Sequence, residues 1–388
     1  AERLADVAGS ARLQRMPAKA GVALAALREA DRALRSTHPA ILLARGRVER
    51  EFGDPGQALS AFDGYLRTNV NRPMGLLEVA RTRFFLGRLD GAGPYFEGAA
   101  SDDAQVVRAY RADLALVASP EELRRFDSRQ GAARVEFLRT FWGGRDAGAF
   151  RASGERIREH YRRLFHARRT FPLLAPSRRF DFAERVAMED HTLDDRGRIY
   201  VRHGAPDDRR SLTTLGVEPN ESWRYVRAGR DLVVHFVARQ DPETYRLVES
   251  LFDVVDVRSA MRVAVEDEGS AIGRNAAQLL QSREGLDPVY RRIGTDDRRQ
   301  EVDLKVRERA RGRGSLVMLA TTTDAFPRRF RRDLEARAQV LVTDPLPDGS
   351  ARVSVVWAVP GTQAEPVPYG RELLYPVRVR LVLTDTTG

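Results

Sequence analysis

Gly53-Asp54-Pro55-Gly56-Gln57-Ala58-Leu59-Ser60-Ala61-Phe62 and Gly87-Arg88-Leu89-Asp90-Gly91-Ala92-Gly93-Pro94-Tyr95-Phe96 are two versions of one pattern. Gly53, Ala58 and Phe62 return as Gly87, Ala92 and Phe96, each after the same 34 residues. Gly suits the turn between two helices, Ala lets helices approach closely, and Phe fills the groove between them. Towards the N-terminus the match loosens: Gly46 is answered by Ala80, and an earlier small-residue stripe runs through Ala26, Ala30 and Ala33-Leu34 to Pro39. The recurrence predicts helix pairs at about 40–69 and 73–100, with Phe62 and Phe96 in equivalent interhelical positions.

Helix starts are written into the same region. In Asp54-Pro55-Gly56-Gln57 the Asp caps, Pro fits the first turn and Gln falls at the third helical position; Ser119-Pro120-Glu121-Glu122 repeats the device with Glu122 as the returning acid. A 34-residue period of helix pairs resembles the tetratricopeptide repeat, which implies a helical array over residues 1–125.

Composition bounds the rest. At 388 residues the chain is long enough for two or three domains. The net charge of +10 invites a nucleic-acid reading, but of 65 basic residues only Lys19 and Lys305 are Lys, leaving 63 Arg. Those Arg are spread along the whole chain among Asp and Glu rather than gathered on one face, so nucleic acid is not the expected partner. There is no Cys, which excludes disulfides, thiolate metal sites and cysteine nucleophiles. No apolar run is long enough to span a bilayer, which leaves peripheral membrane association open. The sequence begins at Ala1 without a signal-peptide apolar region and ends just after the strand-like Leu381-Val382-Leu383, as a processed or trimmed piece of a longer chain would.

From 126 to 260 the pattern changes from helical to mixed. Glu136 to Trp142 is dense in apolar residues and is expected to stop at Gly143-Gly144; an amphipathic helix over 152–169 carries Ile157, Tyr161, Leu164 and Phe165. Phe171 to Phe182 reads as an irregular connection. Strands are expected at Ile199-Tyr200-Val201, Trp223 to Val226, Asp231 to Val237 and Tyr245 to Val248, with Ala228-Gly229-Arg230 as a hairpin turn. Residues 261–333 read as a charged connecting region with a junction at Arg311-Gly312-Arg313-Gly314. From 334 to 388, Val340-Leu341-Val342, the turn Pro347-Asp348-Gly349, Val353 to Val359 and Val377 to Leu383 predict an antiparallel β-sandwich-like domain. The expected fold class is therefore a helical array, a central α+β domain and a C-terminal β-domain.

One segment stands apart: Asp195-Arg196-Gly197-Arg198-Ile199-Tyr200-Val201-Arg202-His203-Gly204-Ala205-Pro206-Asp207. It resembles the second half of the signature of the bacterial GWxTD-domain family, in which an Asp-Arg-Gly-Arg turn leads into a strand and a Gly-x-Pro-Asp turn. Phe141-Trp142 followed by Arg145-Asp146 is similar to that family's Phe-Trp…Arg-Asp element, and the resemblance covers about 135–240. The family's Gly, Trp and Thr fall here at His191, Thr192 and Asp194. The resemblance implies an envelope-associated or exported bacterial protein, with the periplasm or cell envelope as compartment and the cytoplasm as the alternative. It implies no established activity.

The residues themselves allow two readings. Asp195 accepts from its own turn, and Arg196 and Arg198, two apart, share one face of the expected strand. An Asp–Arg lattice pinning the strand is one; a carboxylate- or phosphate-binding site using Arg145, Arg196 and Arg198 is the other. Among the six histidines, His160 and His166 are six apart and cannot form a helical metal pair. His191, Asp194, Asp195 and His203 are the one cluster of acid–base or ligand types, at a spacing that fits no metal signature. Ser-elbow, Walker and dinucleotide motifs are absent. No catalytic residue, metal or cofactor is therefore assigned; Arg145, Asp146, Asp195, Arg196, Arg198 and His203 are the candidate ligand-binding residues. The expected function is a non-catalytic scaffold that binds protein partners, acidic ones favoured by the Arg-rich surface. The alternative is a hydrolase or anion-binding domain centred on 141–207. Trp142 is expected to be buried beside the Asp195–Tyr200 segment.

Overall fold

The computed structural model describes residues 19–173, 192–214, 217–227, 231–238, 244–254, 278–291, 306–312, 317–326, 335–342, 350–363, 366–370 and 372–375. Outside them fall His191, the expected turns at 228–230 and 347–349, Arg313-Gly314 and the expected strand at 377–383. The chain forms two compact units, the first ending at Phe326 and the second beginning at Pro327, with Gly148–Phe150 grouped with the second.

The first unit opens with a helix over 19–33 (α1), then α2 (Pro39–Phe52), α3 (Pro55–Thr68), α4 (Arg72–Phe85), α5 (Ala92–Ala99), α6 (Ala104–Ala115) and α7 (Pro120–Asp127). Local chemistry sets the starts. Asp54 accepts from Gly56 N at 2.7 Å and Pro55 opens α3; Asn71 accepts from Met74 N at 3.0 Å ahead of α4. Ser119 and Glu122 form a reciprocal capping box on α7, at 3.2 and 2.7 Å.

The two helix pairs lie where the 34-residue recurrence puts them, but their contents differ. Phe62 is fully buried against Gly46, where a Cβ would sit 2.4 Å from the ring, so only Gly fits. In the second pair Ala80 replaces Gly46, the buried ring is Tyr95, and Phe96 is half-buried with Arg139 stacked 4.6 Å away. The α5 helix starts three residues late relative to α3 because the second copy lacks the Asp-Pro start.

A ladder of buried acids joins these helices. Glu49 on α2 accepts from Arg28 of α1 at 2.7 and 2.9 Å. Glu78 on α4 accepts from Arg47 at 2.8 Å, Arg50 at 2.5 Å and Arg81 at 3.0 Å. Asp113 on α6 accepts from Arg81 at 2.8 Å and from the Tyr161 hydroxyl of a later helix, also at 2.8 Å. Burial alone would raise the Glu78 pKa, but Arg50, Arg81 and Arg47 outweigh it and hold the carboxylate below its usual range.

Next come α8 (Gly131–Gly148), α9 (Glu155–Thr170) and α10 (Asp195–His203). Gly143-Gly144 does not stop α8, which runs four residues further. The helix α9 packs on α4, with the Phe84 and Tyr161 rings stacked at 5.7 Å. Trp142 is buried, as expected, but its ring meets Tyr95, Phe141 and His160 inside the helical array, with Nε1 donating to the Tyr95 hydroxyl at 3.2 Å.

The expected Asp195 turn and Ile199-Tyr200-Val201 strand are instead the helix α10. Asp194 caps it, accepting from Gly197 N at 3.0 Å, and Gly204, at φ +80, ends it. Arg196, Ile199 and His203, at helical spacing, are all buried, so packing overrides the β-preference of Ile and Val.

A four-stranded antiparallel meander follows: β1 (Asp208–Ser211), β2 (Asn220–Tyr225), β3 (Leu232–Val237) and β4 (Arg246–Val248), in that order across the sheet. Every residue of β3 is buried, and Ser222 pairs with His235 in the β2–β3 register. One apolar cluster runs from Leu42 through Trp142 and Trp223 to Ala320, so helices and sheet share a core across the boundary expected near 125. Helical stretches at 278–283, 289–291 and 306–311 and the helix α11 (Val317–Thr322) contribute Leu279, Tyr290, Glu308 and Val317 to the interior, within the stretch expected to connect domains. No helix among the described residues is long and apolar enough to cross a membrane.

In the second unit, β5 (Arg337–Val342) pairs with β6 (Val353–Ala358) and β7 (Val367–Tyr369) with β8 (Glu372–Leu374), both antiparallel.

Candidate functional site

The helix α10 carries four of the candidate residues, and its N-terminus explains three. Arg196 donates from Nε and Nη2 to Asp194 Oδ2 at 2.9 and 2.7 Å and from Nη1 to Glu221 of β2 at 2.8 Å. Its guanidinium lies 3.7 Å from the centre of the Tyr245 ring. Burial works against the Arg196 charge, but Asp194 and Glu221 outweigh it and raise its pKa. Burial pushes Asp194 up to about 6 even with Arg196 beside it, so the pair is ionised at neutral pH. Asp195 accepts from Leu247 N of β4 at 2.8 Å and from Arg198 at 3.2 Å. On a helix Arg196 and Arg198 no longer share a face: the first reaches back to β2, the second pairs with the acid three residues before it. The arrangement locks a helix N-terminus to two strands. It is an Asp–Arg lattice, built on a helix.

His203 is at the other end of α10, about 12 Å away at 1.5 Å per residue. Its Nε2 faces Ala320 O at 2.9 Å and its Nδ1 faces Arg227 Nη2 at 2.7 Å. A carbonyl only accepts and a guanidinium only donates, which fixes the neutral tautomer with hydrogen on Nε2. Burial, then Arg227, pushes its pKa down to about 3. Asp146 belongs to neither place. It sits on α8 and caps α9, accepting from Gly154 N at 2.8 Å and Arg156 N at 2.7 Å. Burial raises its pKa. Asp146, Asp195 and His203 therefore do not converge on one substrate.

Arg145 borders open space. It forks onto Glu122 at 2.9 and 3.0 Å, stacks 3.6 Å from the centre of the Phe141 ring, and lies 3.4 Å from Asp324. Beside it a groove between α7 and α8 encloses about 660 Å³, with Arg125, Arg129 and Arg145 on its rim and Phe137 and Phe141 among its lining. Two aromatic rings, one of them under the Arg145 guanidinium, beside further Arg side chains are suited to an extended segment carrying acids and apolar side chains.

No protein-family model, no curated protein and no solved structure matches the chain. The site must be judged on its own chemistry. Among the described residues no group of three or more His, Asp or Glu is arranged to hold a metal ion.

One constellation has no counterpart in the sequence patterns. Ser222 Oγ lies 2.8 Å from His235 Nδ1, and His235 Nε2 lies 2.7 Å from the Tyr290 hydroxyl, which donates to Glu308 at 3.1 Å. Arg283 Nε donates to Ser222 Oγ at 2.8 Å and its Nη2 to Asn220. Glu308 also accepts from Leu251 N at 3.0 Å and from Ser250 Oγ. The order hydroxyl, imidazole, phenol, carboxylate has the members of a nucleophile relay. Every member, however, is at least 95% buried, so no substrate reaches Ser222. Burial pushes His235 down to about 3 and raises Tyr290 and Glu308, which leaves the network uncharged at His235. It ties the sheet to the stretches 278–291 and 306–312. His235 falls inside an expected strand, but Ser222 lies one residue before the expected start at Trp223; Arg283, Tyr290 and Glu308 lie in polar sequence without a period.

Proposed function

We propose that this chain is a non-catalytic interaction protein of a bacterial cell-envelope assembly, whose tetratricopeptide-like helices bind a protein partner through the α7–α8 groove. One observation carries the reading: Asp146, Asp195, Arg196, Arg198 and His203 are each taken up by contacts within the chain, whereas Arg145, though paired with Glu122, also lines an open groove with Phe137 and Phe141. The helix pairs at a 34-residue offset and the tight Gly46–Phe62 contact support a tetratricopeptide-like array. The GWxTD resemblance supports the envelope. In the second unit Val340, Val342, Val356 and Trp357 are exposed on β5–β6, which supports docking through a sandwich-like β-domain.

The partner segment is acidic, because the groove rim sets three Arg against Glu122 and Glu136. Immobilised protein incubated with native membrane and soluble fractions should retain a partner identifiable by mass spectrometry. That partner should be released by salt and no longer retained by the Arg125→Glu/Arg129→Glu variant. Retention unaffected by charge reversal would remove the groove. Turnover of any substrate that Asp195→Asn abolishes, with native circular dichroism, would remove the non-catalytic reading.

A further inference from the structure

Two helices direct guanidinium groups at one carboxylate. Arg156 of α9 donates from Nε to Asp324 at 3.0 Å, and Arg145 of α8 approaches it at 3.4 Å. Burial alone would raise the Asp324 pKa, but Arg156, Arg145 and, from α10, Arg202 hold it below the usual range. The next two residues are gripped as well. Arg163 Nη1 donates to Ala325 O at 3.0 Å, Ala325 N donates to Arg202 O at 3.0 Å, and Arg151 Nε donates to Phe326 O at 3.0 Å. The Phe326 ring lies against Arg151 and Arg163, at 3.8 and 5.2 Å from their guanidinium carbons.

Asp324-Ala325-Phe326 is neither helix nor strand, and it is held as a bound peptide is: by an acid, the main chain and an aromatic anchor. The fit is incomplete in one respect. Arg156 is 1% exposed, yet its Nη1 and Nη2 have no hydrogen-bond partner, and neither does Arg202 Nε. Arg145 is shared with Glu122, Arg151 with Glu155 and Arg163 with Glu159, and Arg202 donates to Val117 O and Ala118 O at 3.3 Å, so Asp324 is the acid left to Arg156. Unpartnered buried donors weaken this contact relative to a fully satisfied one, as an exchangeable contact requires. The strap is also free of the regular elements: α11 ends at Thr322, and the unit ends at Phe326.

We propose that the cleft formed by α8, α9 and α10 recognises an Asp-x-Phe segment of a partner protein, and that Asp324–Phe326 is its built-in stand-in. The proposal rests on the reading of this chain as an interaction protein for its use, but of the cleft's Arg residues only Arg145 also lines the α7–α8 groove. The strap competes from within the chain at an effective concentration on the order of mM, so a free segment gains access when the strap is weakened.

The test uses the full chain and a fluorescein-labelled peptide copying Thr321–Pro327, followed by anisotropy. The Asp324→Asn/Phe326→Ala variant should bind it at least about tenfold more tightly than the wild type, the margin that intramolecular competition sets. Adding Arg156→Met, or replacing Asp by Asn in the peptide, should abolish the gain. If Arg156→Met does not fold, Arg151→Gln, at a partly exposed position outside the groove, takes its place. Arg125→Glu/Arg129→Glu should leave peptide binding unchanged, which separates failure of the cleft from failure of the groove. No binding by a strap variant with native circular dichroism would overturn the proposal. So would equal binding by wild type and variant, or loss of binding on reversing the groove charges.

Discussion

Lowering the pH from 7.5 to 5.5 should destabilise the helix–sheet unit by about 3 kcal/mol, through histidines that the fold keeps neutral. His203 and His235 are pushed down to about 3, and His160 well below its ordinary value, each chiefly by burial. In the unfolded chain the same rings titrate near 6.5, so below that pH the unfolded state binds protons that the folded state refuses. Stability is therefore full above about 6.5 and declines as the pH falls toward 3. One unit below 6.5, each ring accounts for a little over 1 kcal/mol, roughly 4 kcal/mol for three. Asp194 opposes this: its folded pKa of about 6 exceeds the unfolded value, so acid favours its folded form by about 1 kcal/mol at pH 5.5. Urea unfolding followed by the fluorescence of the buried Trp142 and Trp223 reads the difference as a midpoint lower by about 1 M, for a slope of ~3 kcal/mol per M. His203→Gln or His235→Gln should each flatten the pH dependence by its share. A midpoint that holds or rises at pH 5.5, or a slope unmoved by both substitutions, would refute the reasoning.

Two further changes test the helical core. Trp142→Ala should cost about 3–5 kcal/mol, since the ring fills space between Tyr95, Phe141 and His160; a melting temperature within error of wild type would refute this. Glu78→Ala should cost a similar ~3–5 kcal/mol by taking from the buried Arg50 the acid it donates to and leaving Arg81 to Asp113 alone, and adding Arg50→Met should recover part of it in the same denaturation assay.

The sequence marked the helical half well because its signals are local. Asp54-Pro55 and Ser119-Pro120-Glu121-Glu122 cap helices by contacts within four residues, and the 34-residue offset follows from chain connectivity. The strands around Trp223, Val234 and Leu247 were legible as short runs of β-branched, aromatic and other apolar side chains, buried on both faces. The reading failed at Asp195–His203, where Ile and Val suggested a strand. Three other signals pointed to a helix: Asp194 at the cap, Arg202-His203 in the last turn and Gly204 after it. The site was harder to read because its residues owe their roles to distant partners. Nothing near Arg196 announces Glu221, nothing near Arg156 announces Asp324, and a buried Glu308 in charged sequence looks like a solvated one.

The ladder from Glu49 through Glu78 to Asp113 has a mechanical consequence. Apolar faces let helices slide with little resistance, because one methyl group replaces another. A guanidinium fork has no such neighbour: shifting α2 along α4 by one turn, about 5.4 Å, would take Arg47 and Arg50 off Glu78 together. The same holds for Arg81 on Asp113 and Tyr161 on Asp113. The array should therefore resist shear more than bending, yielding at its turns rather than between its helices. Force applied at α2 would then reach α9 as a displacement of nearly the same size.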